Sequence, residues 1–137
     1  MRILWISGRD IGSDLASTTE LSLLKEMRKN GMDTILMSPG HKHDHGISHI
    51  SLSPIKISGV TTISGSLLIR RKLGIIKEKK IDLVMIDWRY VTFLKRQILR
   101  LGVPWCIIDR GPPARSGLYG GRIRRELLRN LQKILYK

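Results

Sequence analysis

Along this chain, short apolar runs alternate with segments in which apolar residues recur every three or four positions. Residues 2–7, 34–37, 81–86 and 103–108 are the runs, and 47–52 is a weaker one. The stretches 3–6, 83–86 and 105–108 are apolar on both faces, as the central strands of a parallel sheet are. Between the runs lie helical patterns. One follows Ser13 or Asp14, either of which can cap it, and sets Leu15, Leu21, Leu24 and Met27 near one side before stopping at Asn30-Gly31. Further helices are expected over residues 67–79, 90–101 (ending at Gly102) and 122–136, while 59–66, rich in Ser, Thr and Gly, reads as a loop. Strands alternating with helices predict βαβ units, and hence a Rossmann-like three-layer α/β/α domain on a mostly parallel sheet.

At 137 residues and 42% hydrophobic residues, the whole chain, 1–137, is expected to be one domain with one core. No run approaches the roughly 20 apolar residues of a membrane span, and the N-terminus lacks the long apolar stretch of a secretory leader. Cys106 alone can form neither an internal disulfide nor a cysteine-based zinc cage. The expected location is cytoplasmic.

Charge changes this picture. Of the net +14, residues 1–64 carry +1 and residues 65–137 carry +13, with 18 Lys/Arg against 5 Asp/Glu. A one-signed field on half of a small domain favours an anionic partner: a lipid surface, a phosphorylated ligand or nucleic acid. Arg70, Arg71 and Lys72 on one helix, and Arg122, Arg124, Arg125 and Arg129 on the last, are the expected contacts. That last helix sets Ile123, Leu127, Leu131 and Ile134 on one side, a stripe that packs on a sheet or lies in a membrane interface. The expectation is salt-sensitive peripheral contact with the inner face of a membrane.

In an open parallel sheet, ligands bind at the C-terminal strand ends where strand order reverses. Three loops are expected to meet there: 8–13, 87–89 and 109–115. Gly8 and Gly12 let the backbone approach a ligand, with Arg9 and Asp10 between them. Their spacing is neither the dinucleotide fingerprint nor a P-loop. Asp87, Trp88 and Arg89 offer a carboxylate, an indole and a guanidinium, a set suited to a sugar; Asp87 can instead be a helix cap. Asp109 and Arg110 precede Gly111-Pro112-Pro113, a stiffened loop. His41, His43, His45 and His49, with Asp44, have a metal-like spacing, but they follow the second strand, away from the switch point. They read as a solvated loop, and neither a metal nor a cofactor is expected.

The order of these elements resembles the N-terminal half of the family 4 glycosyltransferases. Residues Asn30-Gly31-Met32-Asp33-Thr34-Ile35-Leu36 resemble the family's turn from first helix into second strand. Lys80-Ile81-Asp82-Leu83-Val84-Met85 is similar to its "Pro-Asp-Val-Val-His" strand, and Leu101-Gly102-Val103-Pro104-Trp105 to its "Gly-Val-Pro" entry. The resemblance covers nearly the whole chain. It implies the GT-B fold, with an acceptor-binding N-terminal domain, a C-terminal domain that holds the nucleotide sugar, and catalysis between them without a required metal. It implies transfer to an acceptor hydroxyl and dependence on a donor domain that residues 1–137 do not supply; the membrane contact expected from the charge would suit a lipid-linked acceptor. Two departures leave the base open: Asp109-Arg110 stands where the family often carries a histidine, and Asp14-Leu15-Ala16-Ser17 replaces its "Gly-Gly-x-Glu". Asp87 or Asp109 can take a hydroxyl proton in an inverting transfer. The rival readings are a basic nucleic-acid module, which lacks any RNP, zinc-finger or GXXG pattern, and a flavodoxin-like nucleotide binder, whose phosphate loop at 8–13 is poor in hydroxyls.

Overall fold

A computed structural model describes residues 1–11, 15–40, 46–57 and 60–108, and the side chains of all of these except 15–17. In it, five strands form one sheet: β1 (Arg2–Ile6), β2 (Asp33–Pro39), β3 (Ser48–Leu52), β4 (Leu83–Asp87) and β5 (Trp105–Ile108). The spatial order is β3-β2-β1-β4-β5, and every pairing is parallel. The order reverses between β1 and β4, which places a switch point at their C-terminal ends.

Alternation along the strands divides the apolar residues between two faces. One face carries Trp5 and Leu36, which pack with Leu24 of α1 (Leu15–Lys29). The other carries Leu4, Ile6, Ile35, Met37, Val84 and Ile86 beneath α2 (Thr61–Lys72), α3 (Ile75–Glu78) and α4 (Trp88–Leu101). From the helices, Ile69, Ile76, Val91, Leu94 and Ile98 complete this larger core. The three-layer α/β/α architecture expected from the sequence is present, and its described strands are wholly parallel.

Two helical expectations need correction. Residues 61–66 are the first half of α2, not part of a loop. Their Ser, Thr and Gly have weak helix propensity, but Gly65 and Ser66 are buried, and tertiary packing overrides propensity. The expected single helix over 67–79 is broken at Leu73-Gly74. There, N–H groups donate three residues back, from Leu73 to Arg70 and from Ile76 to Leu73, which tightens the backbone between α2 and α3. At the end of α4, Gly102 takes the left-handed conformation (φ 68°) that favours glycine after a helix, as its position in the sequence predicts.

Candidate functional site

The C-terminal ends of β1 and β4 lie side by side, with Ile6 paired to Ile86. The next residues, Ser7-Gly8 and Asp87, therefore face each other at the switch point. Asp87 ends β4 and caps α4: its Oδ1 accepts the Arg89 N–H at 3.0 Å. Its Oδ2 accepts the Gly8 N–H at 3.3 Å, which ties the loop after β1 to the start of α4. The Arg89 guanidinium folds back on the same carboxylate, with Nη2 at 2.6 Å from Oδ2 and Nε at 3.0 Å from Oδ1. Both oxygens of Asp87 are thus engaged by amides and by a cation. The geometry makes Asp87 an acceptor that positions both Arg89 and Gly8.

Gly8 is required by this arrangement. A Cβ there would stand 2.7 Å from Arg89 Nη2 and 2.9 Å from Cζ, so any side chain would displace the guanidinium. Burial pulls the affinity of Arg89 for its proton down, but the hydrogen bonds and charge of Asp87 more than offset this, and the net shift is upward. Arg89 is a permanent cation. Its Nη1 makes no hydrogen bond among the described residues, and 34% of the side chain is exposed. One edge of the guanidinium fork is therefore presented to solvent.

The loop after β1 continues across the sheet end. The Arg9 N–H donates to Ser7 Oγ at 3.2 Å, and Arg9 Nε lies 4.0 Å from Glu20 Oε1. The Asp10 carboxylate lies against Gly40 at the end of β2, where a Cβ would overlap it and where φ is 99°. Glycine at position 40 is thus demanded twice, by the backbone and by Asp10. Trp88, in the first turn of α4, is half-buried.

Glu20 was not anticipated from the sequence. It is buried on α1, and its charge reaches Arg89 as well as Arg9. The signal was there: Glu20 precedes Leu24 by four residues and Met27 by seven, so a carboxylate occupies the inward stripe of an amphipathic helix. Two arginines and two carboxylates, from the loop after β1, α1, the end of β4 and the start of α4, thus gather at one sheet end.

Other expected residues lie elsewhere. Arg70, Arg71 and Lys72 are exposed in the last turn of α2. His49 sits on β3, with its Nε2 2.9 Å from Ser38 Oγ. Gly12, Asp109, Arg110, Arg122, Arg124, Arg125 and Arg129, and the remaining histidines of the cluster, lie outside the described residues. Ile108, which precedes Asp109, is paired with Asp87. No group of metal-binding side chains occurs among the described residues, and no described helix is long and apolar enough to cross a membrane. A shallow hollow on α4, lined by Thr92, Lys95, Arg96, Leu99 and Arg100, shares no residue with the switch-point cluster.

Tyr90, the next residue of α4, is buried beneath α2, and burial pushes its phenol from the usual 10 up to about 12, against a smaller opposing pull from Arg89. The unfolded chain would release this proton near pH 10 and the folded protein near 12. Stability is therefore fully present below pH 10 and is lost as pH rises towards 12. Urea titrations across this range should show that loss in the native chain, and Tyr90→Phe should remove that part of it; equal losses in both would assign alkaline unfolding to other groups.

No protein-family model matches the chain, and no curated protein matches it. Solved structures do. A UGT transferase from Siraitia grosvenorii in complex with UDP matches with a TM-score of 0.55 at 16% identity, over 79% of this chain and 27% of that one. Apo UGT2 from Phytolacca americana gives 0.58 at 15% identity, over 77% and 28%. A putative UDP-N-acetylglucosamine 2-epimerase from Listeria monocytogenes gives 0.57 at 14% identity, over 97% and 36%. The chain thus spans about a third or less of the length of these proteins. At such identities the likeness is one of fold, and it is to proteins of the GT-B fold, of which this chain has the Rossmann-like α/β architecture.

Proposed function

We propose that this chain is the acceptor-side half of a nucleotide-sugar-dependent glycosyltransferase, of the family 4 type, working with a donor-binding domain. The observation that carries the reading is Arg89, held by Asp87 against Gly8 at the switch point with one edge of its fork exposed. A guanidinium so held recognises a phosphate or paired hydroxyls in fixed geometry, and its orientation is set before the ligand arrives. The fold likeness to a UDP-bound transferase and a putative UDP-sugar epimerase supports a sugar-nucleotide setting. Trp88, in the turn that presents Arg89, suits the C–H face of a sugar ring, and Arg9 and Asp10 border the same sheet end. Asp87 and Asp109 are the candidates for the base that takes the acceptor proton, with Arg110 beside Asp109 in sequence. A lipid-linked acceptor, with its phosphate on Arg89, fits the cationic second half of the chain.

Saturation-transfer NMR on the 137-residue chain with simple sugars, sugar phosphates and free UDP tests this. Sugar phosphates are expected to bind, and Arg89→Ala should weaken them about tenfold or more. No transfer is expected from the chain alone, because nothing in it is assigned to hold the leaving nucleotide. Absence of sugar and sugar-phosphate binding would remove the acceptor-side reading; turnover by this chain alone would remove the half-enzyme reading.

A further inference from the structure

The outward stripe of α2 is not what solvent selects. Val60, Ile63, Leu67, Arg70 and Arg71 fall within about 100° of one another around the helix axis. They lie opposite the buried Gly65, Ser66 and Ile69. Such a stripe is normally polar, yet Val60 is 38% exposed, Ile63 48% and Leu67 54%. Two more aliphatic side chains extend it. Ile55 and Ile57 are 54% and 59% exposed, and both are tied to the start of α2. The Ile55 N–H donates to Ser64 Oγ at 3.0 Å, and the Ile57 carbonyl accepts from Val60 and Thr61, each at 3.0 Å. Five exposed aliphatic residues are thus held in one place, a grouping that marks an interaction surface rather than scattered apolar exposure.

We infer that this face, with Ile55, Ile57, Val60, Ile63 and Leu67 as its apolar part, docks the protein on an anionic lipid bilayer. The charge selects that occupant. Residues 45–77 contain no Asp or Glu but carry Lys56, Arg70, Arg71, Lys72 and Lys77. Lys56 sits between the two loop isoleucines, and Arg70 and Arg71 continue the stripe of α2. A second copy of this chain packed face to face would set these cations against their own equivalents, whereas anionic headgroups neutralise them. A helix lying in the interface, aliphatic side chains down and long cations reaching the headgroups, satisfies both halves of the stripe.

The placement also orients the site. In a parallel sheet the helix that follows a strand starts at the C-terminal strand edge, so the aliphatic start of α2 lies at the edge that carries Arg89. That last step rests on the acceptor reading: a docked protein would hold its acceptor cleft near lipid headgroups. The docking itself does not depend on that reading.

Flotation of the full chain with vesicles of phosphatidylcholine alone, and of equal phosphatidylcholine and phosphatidylglycerol, tests the inference. The native chain should float with the mixed vesicles and not with the neutral ones. Changing Ile55, Ile57 and Ile63 together to serine should lower partitioning about tenfold or more and leave a residue of binding that salt abolishes. These side chains are exposed, so the circular dichroism and any sugar-phosphate binding by NMR should be unchanged, which separates failure here from failure of the acceptor reading. Arg70→Glu with Arg71→Glu should also reduce flotation. Flotation of the serine variant equal to the native chain would overturn the inference, as would no flotation at all. Two other results would replace the bilayer: dimerisation lost in the serine variant would name a second copy as the occupant, and oligonucleotide binding that survives physiological salt, without flotation, would name nucleic acid.

Discussion

Replacing Asp87 with alanine is expected to lower stability by about 2–4 kcal/mol and to abolish ligand binding at the sheet end. Three losses coincide. The α4 cap contributes roughly 1 kcal/mol, because the Arg89 N–H loses its acceptor. The Gly8 N–H loses its acceptor as well. The Arg89 guanidinium is left part-buried without its carboxylate, and removing one partner costs more than the pair contributes. The pair is partly solvated, with 34% of Arg89 and 12% of Asp87 side chains exposed, so the loss falls below that of a fully buried pair. Asp87→Asn keeps an acceptor for the cap but gives up the charge, and should cost about half as much. For a domain of this size the alanine variant should melt roughly 7–14 °C lower. Urea midpoints for both variants decide it. Equal and small shifts would mean that the contacts of Asp87 are incidental to the fold, and the positioning role would fall with them.

The sheet was legible because parallel strands buried on both faces need continuous apolar runs, and 3–6 and 83–86 are such runs. The switch point followed from the alternation of elements, since the loops after β1 and β4 can meet only where the order reverses. What each charged residue does there was not legible. Asp87 and Arg89 are two positions apart, and nothing in sequence shows that this carboxylate is held at once by a cap, an arginine and a distant amide. Gly8, 79 residues away, supplies that amide, and the contact exists only once β1 and β4 are paired. Glu20 was obscured for a related reason. An acidic residue in a helix is ordinarily placed at the surface, and only its phase relative to Leu24 and Met27 turns it inward. The aliphatic face of α2 was hidden by composition: Ser, Thr and Gly between Gly59 and Ser66 outweighed the spacing of Val60, Ile63 and Leu67.

Gly65 shows why that segment is helical against its composition, and predicts a reversal of the usual rule. Glycine inside a helix is normally unfavourable, and replacing it with alanine at an open site stabilises by about 0.5–1 kcal/mol. At position 65 a Cβ would stand 2.9 Å from Tyr90 Oη and 3.1 Å from Cε1. Tyr90 is 2% exposed and belongs to the larger core, so its ring has little room to withdraw. Gly65 is the point where α2 approaches α4 closely, and overpacking it should win over propensity. Gly65→Ala is expected to destabilise by about 1 kcal/mol and Gly65→Val by about 2–3 kcal/mol. The test of mechanism is a double-mutant cycle with Tyr90→Phe. Removing the hydroxyl takes away the nearest atom, so Gly65→Ala should cost much less in the Tyr90→Phe background, with a coupling of roughly 0.5–1 kcal/mol. Because Tyr90 follows Arg89 on α4, a forced shift of this helix should also loosen the Asp87–Arg89 clamp, and sugar-phosphate binding in Gly65→Val should fall while folding remains cooperative. Stabilisation by Gly65→Ala, or strict additivity with Tyr90→Phe, would show that the two helices can separate without cost, and α2 would then owe its helical form to something other than this contact.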